Sequence, residues 1–401
     1  METFMRTQVP TRIISLVLLS GMLVSFSPAT ASQAIFAQRR AGVFDPLLPE
    51  QAVQDLGAMK GFLWYFGFAT DPRGDQDENS VESDADRFFS ETRRQGIVPE
   101  IGFEPSFIQD GQQYYLHLGT LSWALPVDDL AGQVLAINQA LDQQGDPLQA
   151  LSPRVEDISA LHVDASGREE WKTVRVDLNR FLVSLVRWGR YFAALQSPVI
   201  LRPLSEMNDE TAGAWCFGKH PENTPEAYAQ TWNALVHILR WSGADQVAFA
   251  FAPVAVGDAA LGKDSVLEAA NRILDANPSG IDAFGMDAYT TADPQGHPIS
   301  FESIVTPWIR ALRGTRLEGL PLIIPEMGID RTEILSDALR SQWISDAFQT
   351  AKRLGFSYVI YYHSTNAPMD FTVLPRPGSP ATPGERGGQA LRQGIIDFQG
   401  S

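Results

Sequence analysis

Two glutamates interrupt or end apolar runs that give them no structural reason to be there. The run Val199-Ile200-Leu201-Arg202-Pro203-Leu204-Ser205-Glu206-Met207-Asn208 ends in Glu206, and Leu322-Ile323-Ile324-Pro325-Glu326-Met327-Gly328 carries Glu326. Taken singly, each could cap an element or pair with an arginine. Together they offer the two carboxyls that retaining glycoside hydrolysis uses, about 5–5.5 Å apart, one a nucleophile and the other an acid/base whose pKa its neighbour's charge raises. That chemistry requires the two runs to face each other across one cleft.

The rest of the chain supplies a frame that would do this. Short apolar, β-branched or aromatic runs fall at 42–44, 62–68, 98–103, 198–204, 247–251, 282–288, 320–325 and 358–362, with helical periodicity between them. Phe181, Leu182, Leu185, Trp188, Phe192 and Leu195 recur at helical spacing, as do Tyr228, Trp232, Leu235, Val236 and Leu239. Pro225 sits where a first helical residue should, behind Asn223 and Thr224 as cap candidates. Strand and helix alternating eight times predict an α/β fold, a (β/α)8 barrel of about 250 residues with the surplus in loops. Runs four and seven then end at the barrel mouth on opposite sides.

The largest surplus, residues 106–172, is an excursion between the third strand and the next long helix. It is expected to carry a helix over 128–141 and holds Tyr114, Tyr115, Trp123 and Trp171. It leaves a strand's C-terminal end, so it either walls the active face or packs its aromatics on itself. A second loop, 366–388, carries five prolines ahead of a closing helix over 389–398. Trp188, Trp232, Trp241, Trp308 and Trp343 lie in helical segments and read as core.

At the N-terminus, Arg6 and Arg12 precede the apolar run 13–26 and then Pro28-Ala29-Thr30-Ala31. This is the pattern of a secretory signal peptide cleaved after Ala31, since the run is shorter than the roughly 20 residues that span a bilayer. The expected organisation is therefore signal peptide 1–31, leader 32–40 and a single barrel domain 41–401 interrupted at 106–172, with the product secreted or periplasmic and not anchored in a membrane. A formal charge of −17 argues against nucleic acid as a partner. The single cysteine, Cys216, excludes an internal disulfide and a cysteine-built metal site. The six histidines show no HxH or HExxH spacing, so neither a catalytic metal nor any other cofactor is expected. GxGxxG, P-loop and GxSxG signatures are absent from the sequence.

Several stretches resemble glycoside hydrolase family 26, best known for β-mannanases. Arg202 to Asn208, followed by Trp215-Cys216-Phe217-Gly218 and Asn223-Thr224-Pro225-Glu226-Ala227-Tyr228, is similar to the family's acid/base region. Residues 281–289 resemble its sixth strand and 321–328 its seventh, while Gly102-Phe103-Glu104-Pro105 is similar to a third-strand motif of some members. The resemblance implies a clan A barrel and double displacement with retention. Carried over by position, it makes Glu206 the acid/base and Glu326 the nucleophile, with Arg202 and the Tyr289 hydroxyl holding the nucleophile ionised. Asn208, Glu104, Tyr361, Tyr362 and His363 join the site as supporting or substrate-touching residues. Trp215 is either a sugar-stacking platform or a loop residue packed on the barrel rim.

The chain departs from the family pattern at Ser205, where a histidine usually precedes the acid/base, and at Val254 in place of an asparagine. Pro325 replaces a small residue, and Tyr361 or Tyr362 the eighth-strand tryptophan. These changes leave the carboxylate chemistry in place and open the choice of glycan beyond mannan. The sequence thus predicts a retaining, endo-acting β-glycosidase on mannan or another β-linked polysaccharide. The rival reading is a non-catalytic barrel that binds an exopolysaccharide or cell-wall glycan. Oligomeric state is left open.

Overall fold

The computed structural model describes residues 35–44 (without 38), 59–60, 63–67, 100–371 and 385–399, with short gaps at 111, 126–128, 165, 196, 257–261, 335, 363–364 and 367–368. The expected signal peptide lies outside the described residues. Among them, no helix is long and apolar enough to cross a membrane.

Parallel strands form the central sheet: β1 (Arg40–Phe44), β2 (Met59–Lys60), β3 (Leu63–Gly67), β4 (Glu100–Glu104), β9 (Val199–Pro203), β10 (Val247–Phe251), β12 (Ala283–Gly285), β14 (Leu322–Ile329) and β15 (Tyr358–Tyr362). β1 pairs with β15 on one side and β2 on the other, while β3, two residues beyond β2, pairs with β4. The second barrel strand is thus shared between its neighbours, and all eight expected strands take their places in chain order. Two of them continue after a break: β11 (Val254–Val256) extends the fifth and pairs with β13 (Asp287–Thr290), which extends the sixth. The breaks fall at Ala252-Pro253 and at Met286; in the first, the proline cannot donate to the ladder.

Period-2 alternation assigns the two faces of each strand. Ile200, Ala248, Ala250, Ala283, Ile323, Tyr358 and Ile360 cluster together inside the barrel. Val199, Leu201, Val247, Phe249 and Phe251 join the larger core under the helices. That layer is closed by α3 (Asn179–Leu195) and α4 (Pro225–Trp241), whose predicted apolar positions are all buried. Thr224 caps α4 by accepting from the Ala227 N–H, and Pro225 occupies the first turn. Trp188, Trp232, Trp308 and Trp343 are buried as expected. Trp241 is not: as the last residue of α4 it is 46% exposed and stacks on His237, one turn back.

The excursion after the third strand is more ordered than its sequence suggested. It builds a four-stranded antiparallel sheet from β5 (Ser106–Gln109), β6 (Gln112–Leu116), β7 (Val155–Val163) and β8 (Glu169–Asp177). Helices α1 (Leu118–Ala124) and α2 (Leu130–Asp142) lie between β6 and β7, the second close to the expected helix. The unit therefore runs to Asp177, five residues past the predicted end. At the far end of the chain, the closing helix covers Glu385–Gln399.

Candidate active site

On β9 the inward positions are Ile200 and Arg202, so the polar site begins one layer above the apolar barrel interior. The chain then turns sharply, with Leu204 and Glu206 both left-handed at φ 54° and 57°. Non-glycine residues there cost roughly 1–3 kcal/mol each, so their surroundings must over-determine them. They do. Four successive carbonyls are held: Leu204 by the Tyr228 hydroxyl at 3.0 Å, Ser205 by the Trp215 indole N–H at 2.8 Å, Glu206 by Cys216 Sγ at 3.4 Å and Met207 by the Phe217 N–H at 2.7 Å. The Glu206 N–H in turn donates to Ala252 O at 2.8 Å, tying the turn to the end of the fifth strand.

Glu326 is placed by a bulge. Between the pairs Ile324↔Val359 and Met327↔Tyr361 the seventh strand contains one residue more than the eighth, and Pro325 and Glu326 occupy that irregularity. A bulge re-aims side chains, and Pro325 suits one because it has no N–H to give the ladder.

Arg202 joins the two sides of the barrel. Its Nη2 donates to Glu326 Oε1 at 2.5 Å, its Nη1 to Asp287 Oδ2 at 2.6 Å, and its Nε lies 2.5 Å from Glu100 Oε1. The Tyr289 hydroxyl donates to the other Glu326 oxygen, Oε2. Arg202, Asp287, Glu100 and Glu326 are all buried. One guanidinium cannot balance three carboxylates in a dry interior. Burial, opposed by Arg202 and reinforced by Glu326, pushes the Glu100 carboxyl up to about 8. Burial likewise lifts Asp287 well above the usual carboxylate range, against the pull of Arg202. Glu100 is therefore largely protonated at pH 7, and Asp287 is shifted in the same direction, which leaves more of the guanidinium charge for Glu326.

Glu206 has the opposite character. Burial raises its pKa to about 8, the Glu326 charge adds to the rise, Arg202 opposes it, and Asp209 and Glu104 raise it further. Two carboxyls in one electrostatic field thus have separate environments: Glu326 takes two donors, one of them cationic, while Glu206 retains its proton.

The other predicted residues divide. Glu104, raised to about 7 by burial, acts electrostatically on Glu206 and also on Tyr115, whose hydroxyl burial and then Glu104 push up. Glu104 thus shares the electrostatic field of Glu206, and Tyr115 of the excursion feels Glu104 in turn. Tyr362 packs edge-on to Tyr289, centroids 6.0 Å apart, and both contact Phe371. Ser205 is buried beside Glu206. Asn208 has a framework role: its amide donates to Val254 O and accepts from Val254 N, both at 2.9 Å, fastening the turn to β11. Tyr361 is fully buried and donates to Phe371 O at 3.2 Å. Trp215 is 4% exposed and its indole N–H is spent on the Ser205 carbonyl, which favours the packed alternative over the stacking platform. His363 lies outside the described residues. Glu100 and Asp287 were missed. Asp287 sits in the 281–289 stretch, and Glu100 opens the third strand, where register with Ile200 turns it inward.

No protein-family model matches this sequence, and no curated protein does. Solved structures do match its fold. The catalytic domain of a GH26 endo-β-1,4-mannanase from Bacillus sp. JAMB-750 superposes with a TM-score of 0.55 at 14% identity, covering 94% of this chain and 90% of its own. The GH26 β-mannanase BoMan26A from Bacteroides ovatus gives 0.54 at 14% identity, covering 93% of each chain. A family 39 glycoside hydrolase from Bacteroides cellulosilyticus WH2 gives 0.51 at 12% identity, covering 91% of this chain and 65% of its own. At such identities the likeness shows the fold alone, a (β/α)8 barrel similar to those of GH26 β-mannanases.

Proposed function

We propose that the chain is an exported retaining β-glycoside hydrolase acting within a β-linked polysaccharide, mannan or a related glycan, with Glu326 as nucleophile and Glu206 as acid/base. The observation that carries this reading is the split between the two glutamates: Arg202 and Tyr289 donate to both oxygens of Glu326, whereas Glu206 is pushed up to about 8. A barrel that merely bound glycan would need no such asymmetry.

In the first step a Glu326 oxygen attacks the anomeric carbon while Glu206 gives its proton to the glycosidic oxygen, and the C–O bond breaks. The sugar is left as an ester on Glu326. Glu206, now ionised, takes a proton from water as that water attacks the same carbon, which frees Glu326 and restores the proton on Glu206. Arg202 and Tyr289 bear the returning charge on Glu326. Glu104 and Tyr115 line the approach, and the excursion walls the cleft on that side. Residues 1–31 are the basis for export, with cleavage after Ala31.

The test is hydrolysis of a panel of soluble β-glycans by purified protein, with the anomer of the first-formed product read by proton NMR. The expected result is turnover of at least one β-mannan or related β-glycan with retention. Inversion, or no turnover of any β-glycan by folded protein, would sink the reading.

A further inference from the structure

His117 meets His220 and Glu222, a pair about a hundred residues further along the chain, and all three are side chains able to ligate a metal. His117 lies between β6 and α1 of the excursion, and His220 and Glu222 lie in the loop between the Glu206 turn and α4. One ligand atom from each falls within 4.8 Å of the other two. His117 is buried, Glu222 is 63% exposed at its side chain, and the edge of Trp171 closes on both imidazoles, at 5.7 Å from His117 and 4.9 Å from His220.

The lone pairs are arranged in a way that packing alone does not explain. His117 Nδ1 accepts from the Thr120 N–H at 3.3 Å, so it carries no proton, and Nε2 pairs with the Thr120 hydroxyl at 2.8 Å. A carboxylate oxygen of Glu222 nevertheless stands 3.6 Å from that unprotonated nitrogen. Two acceptors face each other. His220 Nδ1 is also an acceptor, taking the Glu222 N–H at 3.3 Å, and its ring stacks on His117 with centroids 3.9 Å apart. A cation resolves this opposition.

We propose that His117, His220 and Glu222 form a zinc-type metal site that staples the excursion to the loop behind the acid/base turn. Two imidazoles and one carboxylate are a borderline-soft donor set suited to Zn2+ with water as fourth ligand, and hard cations such as Mg2+ prefer all-oxygen sites. Zinc bonds of about 2.0–2.2 Å set tetrahedral N···O separations near 3.3–3.5 Å, so the 3.6 Å between His117 Nδ1 and Glu222 needs little closure, and the set as a whole, within 4.8 Å, draws together on the metal. The long backbone bond at His117 Nδ1, 3.3 Å, is a weak competitor. The Thr120 hydroxyl on His117 Nε2 supplies the outer hydrogen bond that fixes a ligating imidazole. The metal would reinforce two contacts that already join the same segments: Lys219 to Glu169 at 2.5 Å, and the Leu118 N–H to Asn223 Oδ1 at 2.8 Å.

The test uses full-length protein stripped with chelator and titrated with Zn2+ by isothermal calorimetry, with thermal unfolding in parallel. His220→Ala and Glu222→Gln are the variants, since both positions lie nearer the surface than His117. The expected result is one equivalent of Zn2+ bound with a rise in Tm, at least tenfold weaker binding and no Tm rise in either variant, and no comparable response to Mg2+. The proposal is overturned if the wild type takes up no Zn2+, if either variant binds it as tightly as the wild type, or if Mg2+ binds equally well.

Discussion

The indole N–H of Trp215 donates to the carbonyl of Ser205 at 2.8 Å, and this bond sits in the middle of the turn that aims Glu206. Cys216 and Phe217 hold the next two carbonyls, so three consecutive residues of one segment clamp three consecutive residues of the other. Gly213 must lack a side chain for this to happen, because a Cβ there would lie 2.3 Å from the Trp215 ring. The Trp-Cys-Phe-Gly stretch thus keeps two left-handed residues in place against their intrinsic preference.

Trp215→Phe keeps most of the apolar bulk and removes only the donor. It is expected to lower kcat by about 10-fold, the cost of one buried hydrogen bond to a positioned element, with KM nearly unchanged. A stacking tryptophan would behave the other way round: Phe would preserve function, and loss would appear in KM. Steady-state kinetics on a soluble glycan distinguishes the two.

Much of this fold was legible. Eight apolar runs separated by helical periodicity gave the barrel, because strands buried on both faces write themselves as continuous hydrophobic sequence. The excursion's sheet was not, since β8 reads Glu-Glu-Trp-Lys-Thr-Val-Arg-Val-Asp and buries only part of one face. Within the site, Glu206 and Glu326 could be picked out because each breaks or ends an apolar strand, and Arg202 and Tyr289 came only through the family resemblance. Glu100 could not, as a charged residue opening a strand looks like an exposed edge until its register with Ile200 is known. The meeting of His117 with His220 depends on tertiary contact alone and leaves no spacing to detect.

Activity against pH should show a basic limb set by Glu206. Its carboxyl is pushed up to about 8, so kcat/KM should fall as the pH rises through that value and the general acid loses its proton. On a substrate whose leaving group needs no protonation, the limb should flatten. A profile for such a substrate identical to that for glycan would remove Glu206 from the acid role.

Glu100 should make the protein less stable in base. Its folded pKa of about 8 lies above the ordinary 4.5 of a solvated glutamate, so the folded state holds more protons than the unfolded state between those values. Stability therefore falls as the pH rises through that window, and the contribution is fully present only below it. Glu100→Gln keeps the shape without the titration. Its Tm should decline less between about pH 6 and pH 9 than that of the wild type; equal slopes would mean that Glu100 does not hold the proton.

The roles of the two glutamates can be separated by what replaces them, since a nucleophile and an acid/base leave different gaps. Glu326→Ala should abolish turnover on every substrate, because no covalent step is available, and it opens a space on the face of the sugar that the carboxylate attacks. Azide entering that space should restore activity on an activated aryl glycoside and give a glycosyl azide of inverted anomeric configuration, a single displacement having replaced two. Glu206→Ala should still form the ester on Glu326 from substrates with good leaving groups, then release it slowly for want of a base. Azide needs no base, so it should speed that release and give the azide with retained configuration. Mass spectrometry of the trapped intermediate and NMR of the azide products read both outcomes. Exchange of the two product configurations between the variants would reverse the assignment, and retention by neither would remove the double displacement.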